Sequence, residues 1–274
     1  MHVASYLLTV RLIGFAPGEC AQLEVSLAQA PGLGPSYSCL HDDSLQEPDL
    51  YIANGDSPTA LTRLGCLPPG SLQPALVIGT PGASPWTTLA RPLAPLPLHE
   101  ALAELLDSRV QALVQQGTHT RRVLAERRRR PRLAPDCETP AFYTRQRRGP
   151  VDGAVLIVDK ECQLRNRVAR VLGPRRVAVE WTDSLAAAVR LCDETPVSLV
   201  LINTAAPGIE PYELCSSIKS QQGAERTPVV FLVEQSFRYD SVRARRAGAR
   251  GILDTPVAGR HLMLTFQKLL DLPV

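Results

Sequence analysis

The sequence predicts an α/β protein with two doubly wound parallel sheets, one in each half of the chain. The length of 274 residues suits two domains. Short apolar segments alternate with amphipathic ones through both halves, and an arginine-rich stretch separates them. Because parallel neighbouring strands need helical crossovers, this alternation favours parallel sheets over sandwiches or helix bundles.

The second half shows the alternation most clearly. Buried-strand runs occur at Ala154–Val158, Ser198–Ile202 and Val229–Val233, and shorter strands are predicted at Arg176–Val179 and Gly251–Leu253. The predicted helices are Leu164–Leu172, Ser184–Cys192, Pro211–Lys219, Tyr239–Ala247 and Gly259–Leu270.

The first half follows the same order of elements. The predicted strands are Tyr6–Ile13, Ser36–Leu40, Leu50–Ala53, Ala75–Ile78 and Thr87–Ala90. The predicted helices are Gly18–Ala30, Pro58–Leu64 and a long one that begins at Leu98. The segment Gly79–Thr87 is short and rich in Gly and Pro, so we expect the first sheet to lack its fourth helix.

Charge is distributed unevenly and indicates where the domains end. Residues 1–106 contain 3 Arg and 9 acidic residues, whereas residues 107–150 contain 11 Arg, no Lys and 4 acidic residues. Residues 151–274 contain 16 basic and 14 acidic residues. We therefore predict a domain at 1–106, a helical extension with an arginine-rich linker at 107–150, and a second domain at 151–274.

Cysteine usage and hydropathy limit the classes of protein to which this chain can belong. The seven cysteines are scattered and form no C-x-x-C, which predicts reduced thiols, cytoplasmic localisation and no structural zinc. No apolar run approaches the roughly 18 residues that a membrane span needs, so we expect no membrane insertion. The sequence contains no nucleophile–base pair, metal-ligand set or phosphate-binding glycine loop, which predicts a non-enzyme without cofactor or metal.

Several motifs make the second half similar to a known family. Residues 153–270 resemble a response-regulator receiver domain of bacterial two-component signalling, through VLIVDK (155–160), LVLINTAAPG (199–208), TPVVFLV (227–233) and AGARGILDTPV (247–257). Residues 5–106 resemble a second, more diverged receiver, mainly through PDLYIANG (48–55) and ARPL (90–93). The resemblance implies a flavodoxin-like fold for both halves, with the functional crevice at the carboxyl ends of the strands.

The resemblance also implies a set of functional positions. In the family, an acidic pair after the first strand binds Mg²⁺, and an Asp that ends the third strand accepts a phosphoryl group. A Thr or Ser that ends the fourth strand and a Lys after the fifth bind the phosphoryl oxygens. In the second domain these positions are occupied by Asp159 and Lys160, then Asn203, Val233 and Thr255.

The first domain departs further from that pattern. The segment Ile13–Phe15 lies where the acidic pair belongs, and Asn54 lies at the acceptor position. Gly79 or Thr80 corresponds to the hydroxyl position, and Arg91 to the Lys position.

These changes predict two pseudo-receivers that take no part in phosphorelay. A carboxamide is a much weaker nucleophile than a carboxylate, and a single Asp159 beside Lys160 is a poor Mg²⁺ site. Val233 can neither donate to nor accept from a phosphoryl oxygen. Simpler interpretations remain open: Asn54 and Asn203 suit turns and helix caps, and Asp159 can pair with Lys160 or a backbone group.

The connector is the part of the chain that the family does not explain. Apolar residues recur near heptad spacing over Leu98–Val114, which suggests a helix that could pair with a second copy or dock on the other domain. Gly117 is then expected to weaken this helix. The candidate anion-binding residues are Arg121, Arg122, Arg127, Arg128, Arg129, Arg130 and Arg132.

Three interpretations of this arginine cluster remain open. It could be a solvated linker, a site for an anionic partner such as nucleic acid, a cyclic dinucleotide or an acidic protein, or a clamp on the acidic first domain. The salt dependence of oligonucleotide binding separates these, because phosphate contacts give a steep slope.

Two hypotheses for function follow. The first is a non-catalytic, cytoplasmic regulator of the two-component type, whose pseudo-receivers act through protein–protein contacts with a signalling partner and could form a homodimer. The second is a sensor of an anionic ligand, a cyclic dinucleotide or nucleic acid, bound through the arginine-rich connector.

Overall fold

The predicted strands assemble into two separate five-stranded sheets. The computed structural model describes residues 7–29, 35–67, 74–79, 85–127, 153–221 and 223–272, with the backbone only for 116–127. The first compact unit comprises Met1–Asp42 and Pro48–Ala134. The second comprises Asp43–Glu47 and Pro135–Val274.

In the first unit, helices join only some of the short strands. The strands are β1 (Leu7–Ile13), β2 (Ser36–Cys39), β3 (Leu50–Asn54), β4 (Ala75–Ile78) and β5 (Thr87–Leu89). The helices within the described residues are α1 (Pro17–Ala28), α2 (Pro58–Gly65) and α3 (Pro95–Arg127). Helices follow β1, β3 and β5, whereas the described residues 40–49 between β2 and β3 contain no helix. Only residues 79–86 separate β4 from β5. The sequence predicts no helix in this connection, and residues 80–84 lie outside the described residues.

The second unit repeats this order with all of its crossover helices. The strands are β6 (Ala154–Val158), β7 (Val179–Thr182), β8 (Val197–Asn203), β9 (Val229–Val233) and β10 (Gly251–Asp254). The helices are α4 (Cys162–Leu172), α5 (Leu185–Glu194), α6 (Pro211–Lys219), α7 (Ser241–Ala247) and α8 (Gly259–Leu269).

Both sheets have the flavodoxin-like strand order. The first runs β2-β1-β3-β4-β5 and the second β10-β9-β8-β6-β7, with parallel pairing throughout. The order reverses beside β1 in the first sheet and beside β6 in the second, so each sheet has a switch point at its carboxyl edge. The fold class predicted from the sequence is therefore confirmed.

Helices cover both faces of the second sheet, which is why its central strands are apolar at nearly every position. Val168 of α4 and Phe266 of α8 pack on one face, and Tyr212 and Leu214 of α6 pack on the other with Phe231. A parallel strand buried on both faces needs apolar side chains in both directions. At the starts of α5 and α7, the N-cap side chains of Ser184 and Asp240 accept hydrogen bonds from first-turn amides.

Two predicted elements are wrong in their bounds. The strand expected at Arg176–Val179 begins only at Val179, because a 3₁₀ turn at Gly173–Arg175 ends with Arg176 at a φ of 56°. Helix α3 begins at Pro95 and not at Leu98, and it continues through Gly117, where only a weakening is expected, to Arg127. A single glycine costs about 1 kcal/mol in a helix, which long helical flanks can offset.

A buried ion pair fastens α3 to the first sheet. The Asp49 side chain is 1% exposed, and its Oδ1 accepts a hydrogen bond from Arg109 at 2.9 Å. The other carboxylate oxygen accepts from the amide and the hydroxyl of Thr9, at 3.0 and 3.1 Å. The charge pattern assigns Arg109 to the connector, but its side chain belongs to the packing of the first unit.

No helix within the described ranges combines the length and the apolar character needed to cross a membrane.

Candidate functional site

The candidate site of the second unit lies where β6 and β8 end. Asp159 follows β6 and is 6% exposed, and Asn203 is the last residue of β8. Since both strands are parallel neighbours at the switch point, their carboxyl ends lie side by side. The two side chains meet directly: Asn203 Nδ2 donates to Asp159 Oδ1 at 3.0 Å.

The amide of Asn203 is satisfied on both of its polar atoms. Its Oδ1 accepts from the backbone amide of Ala205 at 3.1 Å, so the side chain also closes the turn after β8. Asn203 therefore has both features that the sequence left open: its side chain closes a turn, and it lines the crevice. Asp159 pairs with this amide and not with Lys160, whose Nζ donates to the carbonyl oxygen of Asp183 at 3.0 Å.

A crevice of about 480 Å³ opens above these residues. It is lined by Asp159, Lys160, Glu161, Gln163, Leu164, Arg167, Asn203, Ala205, Ala206, Pro207 and Glu234. Sequence reasoning missed three of these charged residues, Glu161, Arg167 and Glu234. The helical pattern turns Arg167 away from the packed side of its helix, and Glu234 directly follows β9, a position that could have indicated it.

The hydroxyl and Lys positions of the family pattern contribute no phosphate ligand. Val233 is 1% exposed and packs in the core. The Thr255 hydroxyl donates to the carbonyl oxygen of Val233 at 3.1 Å. Neither residue lines the crevice.

The residues present do not fit the Mg²⁺ that the family's site binds. Mg²⁺ requires hard anionic oxygens in near-octahedral geometry. Here Asp159 Oδ1 already accepts from Asn203, and the neighbouring position carries a lysine. Across the described part of the chain, no group of three or more His, Cys, Asp or Glu side chains could hold a metal ion.

In the first unit, Asn54 ends β3 and is surrounded by a charged network. Its Nδ2 donates to the carbonyl oxygen of Gly14 at 3.0 Å, and its Oδ1 accepts from the Asp56 amide at 3.1 Å. Arg91 Nη2 donates to the same oxygen at 3.3 Å. The acceptor position and the Lys position of the family pattern are therefore joined by a direct contact.

Arg91 links this amide to two carboxylates. It pairs with Glu19 at 2.7 Å and with Asp56 at 3.3 Å. The hydrogen bond from the Ala16 amide, and then the Arg91 guanidinium, lower the pKa of Glu19 below its ordinary value. Arg91 is thus a cation whose charge two neighbouring carboxylates already neutralise.

The position where the family pattern has its acidic pair is closed by side chains at the start of α2, Ser57 and Ala60. Gly14 has a φ of +77°, and a Cβ there would lie 2.5 Å from the Cβ of Ala60. Only glycine fits such a close, left-handed turn. A carboxylate cannot be accommodated at this residue without moving α2.

The arginine-rich connector is only partly described. Arg121, Arg122 and Arg127 lie on α3. Arg128, Arg129, Arg130 and Arg132 lie outside the described residues. Anion binding by this cluster stays a prediction.

Comparison with known proteins finds the same family in the second unit. The family model "response regulator receiver domain" matches residues 155–267. The response regulator PleD of Caulobacter vibrioides is 30% identical over 110 residues, which are 40% of this chain and 24% of PleD. The Fimbriae Z protein of Salmonella typhimurium is 32% identical over 102 residues, 36% of this chain and 48% of that protein.

Among solved structures, the chemotaxis response regulator CheY4 of Vibrio cholerae aligns with a TM-score of 0.40 and 21% identity, over 43% of this chain and 99% of CheY4. The chain spans less than half the length of the curated relatives named above. With its strand order, its carboxyl-edge crevice and its sequence match, the segment 155–267 belongs to the response regulator receiver family.

Proposed function

We propose that this chain is a non-catalytic regulatory protein of two-component signalling. In this proposal neither unit accepts a phosphoryl group, and the protein acts through contacts with a signalling partner. The observation that carries the proposal is the hydrogen bond from Asn203 Nδ2 to Asp159 Oδ1. The residue at the acceptor position is an amide committed to the remaining acid.

The chemistry of the crevice supports this view. Phosphoryl transfer to a receiver requires a carboxylate oxygen as nucleophile, a metal that neutralises charge, and donors for the phosphoryl oxygens. An amide nitrogen and oxygen already engaged in hydrogen bonds are poor nucleophiles. The valine that ends β9 and the inward-bonded hydroxyl of Thr255 provide no donor to an incoming anion.

The first unit supports the same conclusion by a different route. Gly14 leaves no room for an acid, and the Arg91 guanidinium is shared among Asn54, Glu19 and Asp56. Added phosphate would have to displace two carboxylates from that guanidinium. The network therefore resembles a fixed arrangement more than a switch.

The proposal is tested by incubating the full chain with acetyl phosphate and Mg²⁺ and measuring its intact mass. We expect no phosphoryl adduct on the wild-type protein, while a receiver domain with an acceptor aspartate, treated in parallel, is modified. A hydroxylamine-labile, Mg²⁺-dependent adduct that maps to either unit would contradict the proposal.

A further inference from the structure

Helix α4 of the second unit has two sides of different character. Its apolar side packs on the sheet through Val168 and Leu172, which are fully buried, with Leu164 and Val171 beside them. The other side is polar, as in an amphipathic helix at the surface of a domain. The segment 160–176, which contains the helix, has six basic residues and one acidic residue. The helix therefore presents a strongly positive surface.

Four side chains form a row along the polar side of α4. They are Gln163, Asn166, Arg167 and Arg170, whose spacing of i, i+3, i+4 and i+7 places them on one helix face. We call them the α4 row. Three of them are exposed, and Arg167 is half-buried where it lines the crevice. Each can donate hydrogen bonds, and the row extends for about 10 Å along the helix.

The arginines of α4 have no acidic partners. Among the residues that the structure describes, Arg165, Arg167 and Arg170 form no ion pair. By contrast, Arg243 on α7 pairs with Glu210 at 3.3 Å. Guanidinium groups that no carboxylate neutralises create a positive potential, which attracts an anionic partner to this helix.

The composition of the α4 row favours nucleic acid over an acidic protein as that partner. Protein–protein interfaces typically bury an apolar or aromatic centre, which the row lacks. Arginine, asparagine and glutamine side chains are common donors to the phosphate oxygens of nucleic acids. The row also has no aromatic ring on which an unpaired base could stack, so a duplex fits it better than a single strand.

We propose that the α4 row binds the phosphate backbone of a nucleic acid duplex. Phosphate contacts of this kind are independent of base sequence and weaken steeply as the salt concentration rises. Arg176, which is exposed just after the turn that follows the helix, extends the basic surface beyond the row. This site is distinct from the arginine-rich connector and lies within the receiver domain itself.

The inference goes beyond the proposed function and does not depend on it. The α4 row would bind a duplex whether or not either unit accepts a phosphoryl group. A phosphoryl adduct on the wild type would remove the proposed function and leave this inference intact, and a failure to bind duplex would do the reverse.

The test uses the full chain with the connector arginines removed, so that they cannot mask binding by α4. The background protein carries Arg121→Ala, Arg122→Ala, Arg127→Ala, Arg128→Ala, Arg129→Ala, Arg130→Ala and Arg132→Ala.

Two variants in this background remove the same charge from different places. Arg167→Ala/Arg170→Ala removes both guanidinium groups of the α4 row. Arg246→Ala/Arg250→Ala is the matched control, because these arginines are also exposed and lie elsewhere in the second unit. Alanine is the best helix former, so we expect both variants to keep the circular dichroism spectrum of the background protein.

Fluorescence anisotropy over a series of salt concentrations measures the binding of a labelled DNA duplex. We expect the background protein to bind it, and the Arg167→Ala/Arg170→Ala variant to bind about tenfold or more weakly at low salt. The slope of log K against log salt concentration should become shallower by about two in that variant. The Arg246→Ala/Arg250→Ala control should stay within about threefold of the background protein, with the same slope.

Equal losses in the two variants would mean that only net charge matters, and would overturn the inference. So would an unchanged salt slope in the Arg167→Ala/Arg170→Ala variant, no binding by the background protein at low salt, or tighter binding of the corresponding single strand than of the duplex.

Discussion

Replacing Asp49 by alanine should lower the free energy of unfolding of the first unit by about 3–5 kcal/mol. The substitution leaves the partly buried Arg109 guanidinium without its carboxylate, and it removes the acceptor for the amide and hydroxyl of Thr9. Removing one partner of a buried ion pair typically lowers the free energy of unfolding by about 3–5 kcal/mol, because the remaining charge is uncompensated. The loss should also loosen the part of α3 that carries Arg109, while Leu98 and Leu102 keep the start of the helix in the core.

Urea titration followed by tryptophan fluorescence can measure this effect in the first unit alone. The sequence has two tryptophans, and a Trp181→Phe background leaves Trp86 as the only reporter. Asp49→Asn keeps the shape and one acceptor, so we expect a smaller loss. Glu104→Ala, at an exposed acid on the same helix, should change stability by less than about 0.5 kcal/mol. A loss below about 1 kcal/mol for Asp49→Ala would show that the pair does not hold α3.

Replacing Asn203 by aspartate should make the stability of the second unit depend on pH and on Mg²⁺. The change places a carboxylate about 3 Å from Asp159, where the amide donated at 3.0 Å. Two carboxylates at that distance share a proton, which raises one pKa above the unfolded value of about 3.9. Stability is therefore retained below that value and lost as pH rises through the raised pKa. If the raised pKa lies about one to two above the unfolded value, the free energy of unfolding at neutral pH falls by about 1.4–3 kcal/mol.

Urea unfolding near pH 4 and pH 7.5, with and without MgCl₂, checks this prediction. Two hard oxygen ligands should let Mg²⁺ restore part of the loss in Asn203→Asp, whereas the wild type should not respond. Asn203→Ala removes the donor without adding charge, so its loss should be nearly independent of pH above about pH 5. Equal pH profiles for the aspartate and alanine variants would mean that the two side chains are farther apart in solution.

The periodicity of the sequence predicted both sheets because buried parallel strands are short, apolar and separated by helices. It could not place β7, whose residues Val179–Thr182 are partly exposed at the sheet edge and follow an arginine in a left-handed conformation. Nor could it predict that α3 continues past Gly117, since long helical flanks offset the cost of one glycine.

For the sites, the sequence indicated Asn54, Asn203, Asp159 and Arg91 because each occupies a position to which the resemblance to the receiver family assigns a function. Their partners depend on side-chain directions that no local pattern records. The contacts of Arg91 with Glu19 and Asp56 join residues far apart in the chain.

The surroundings of Asn54 also bear on how the protein ages. An asparagine followed by glycine is prone to lose its amide when the glycine nitrogen attacks the side-chain carbonyl carbon and closes a succinimide ring. Here the Gly55 nitrogen donates to the carbonyl oxygen of Ile78 at 2.7 Å, and both ends of the asparagine amide are engaged. Ring closure would require breaking these bonds, so isoaspartate should accumulate at this position in urea-unfolded protein and scarcely at all in folded protein stored at the same pH, as peptide mapping would reveal.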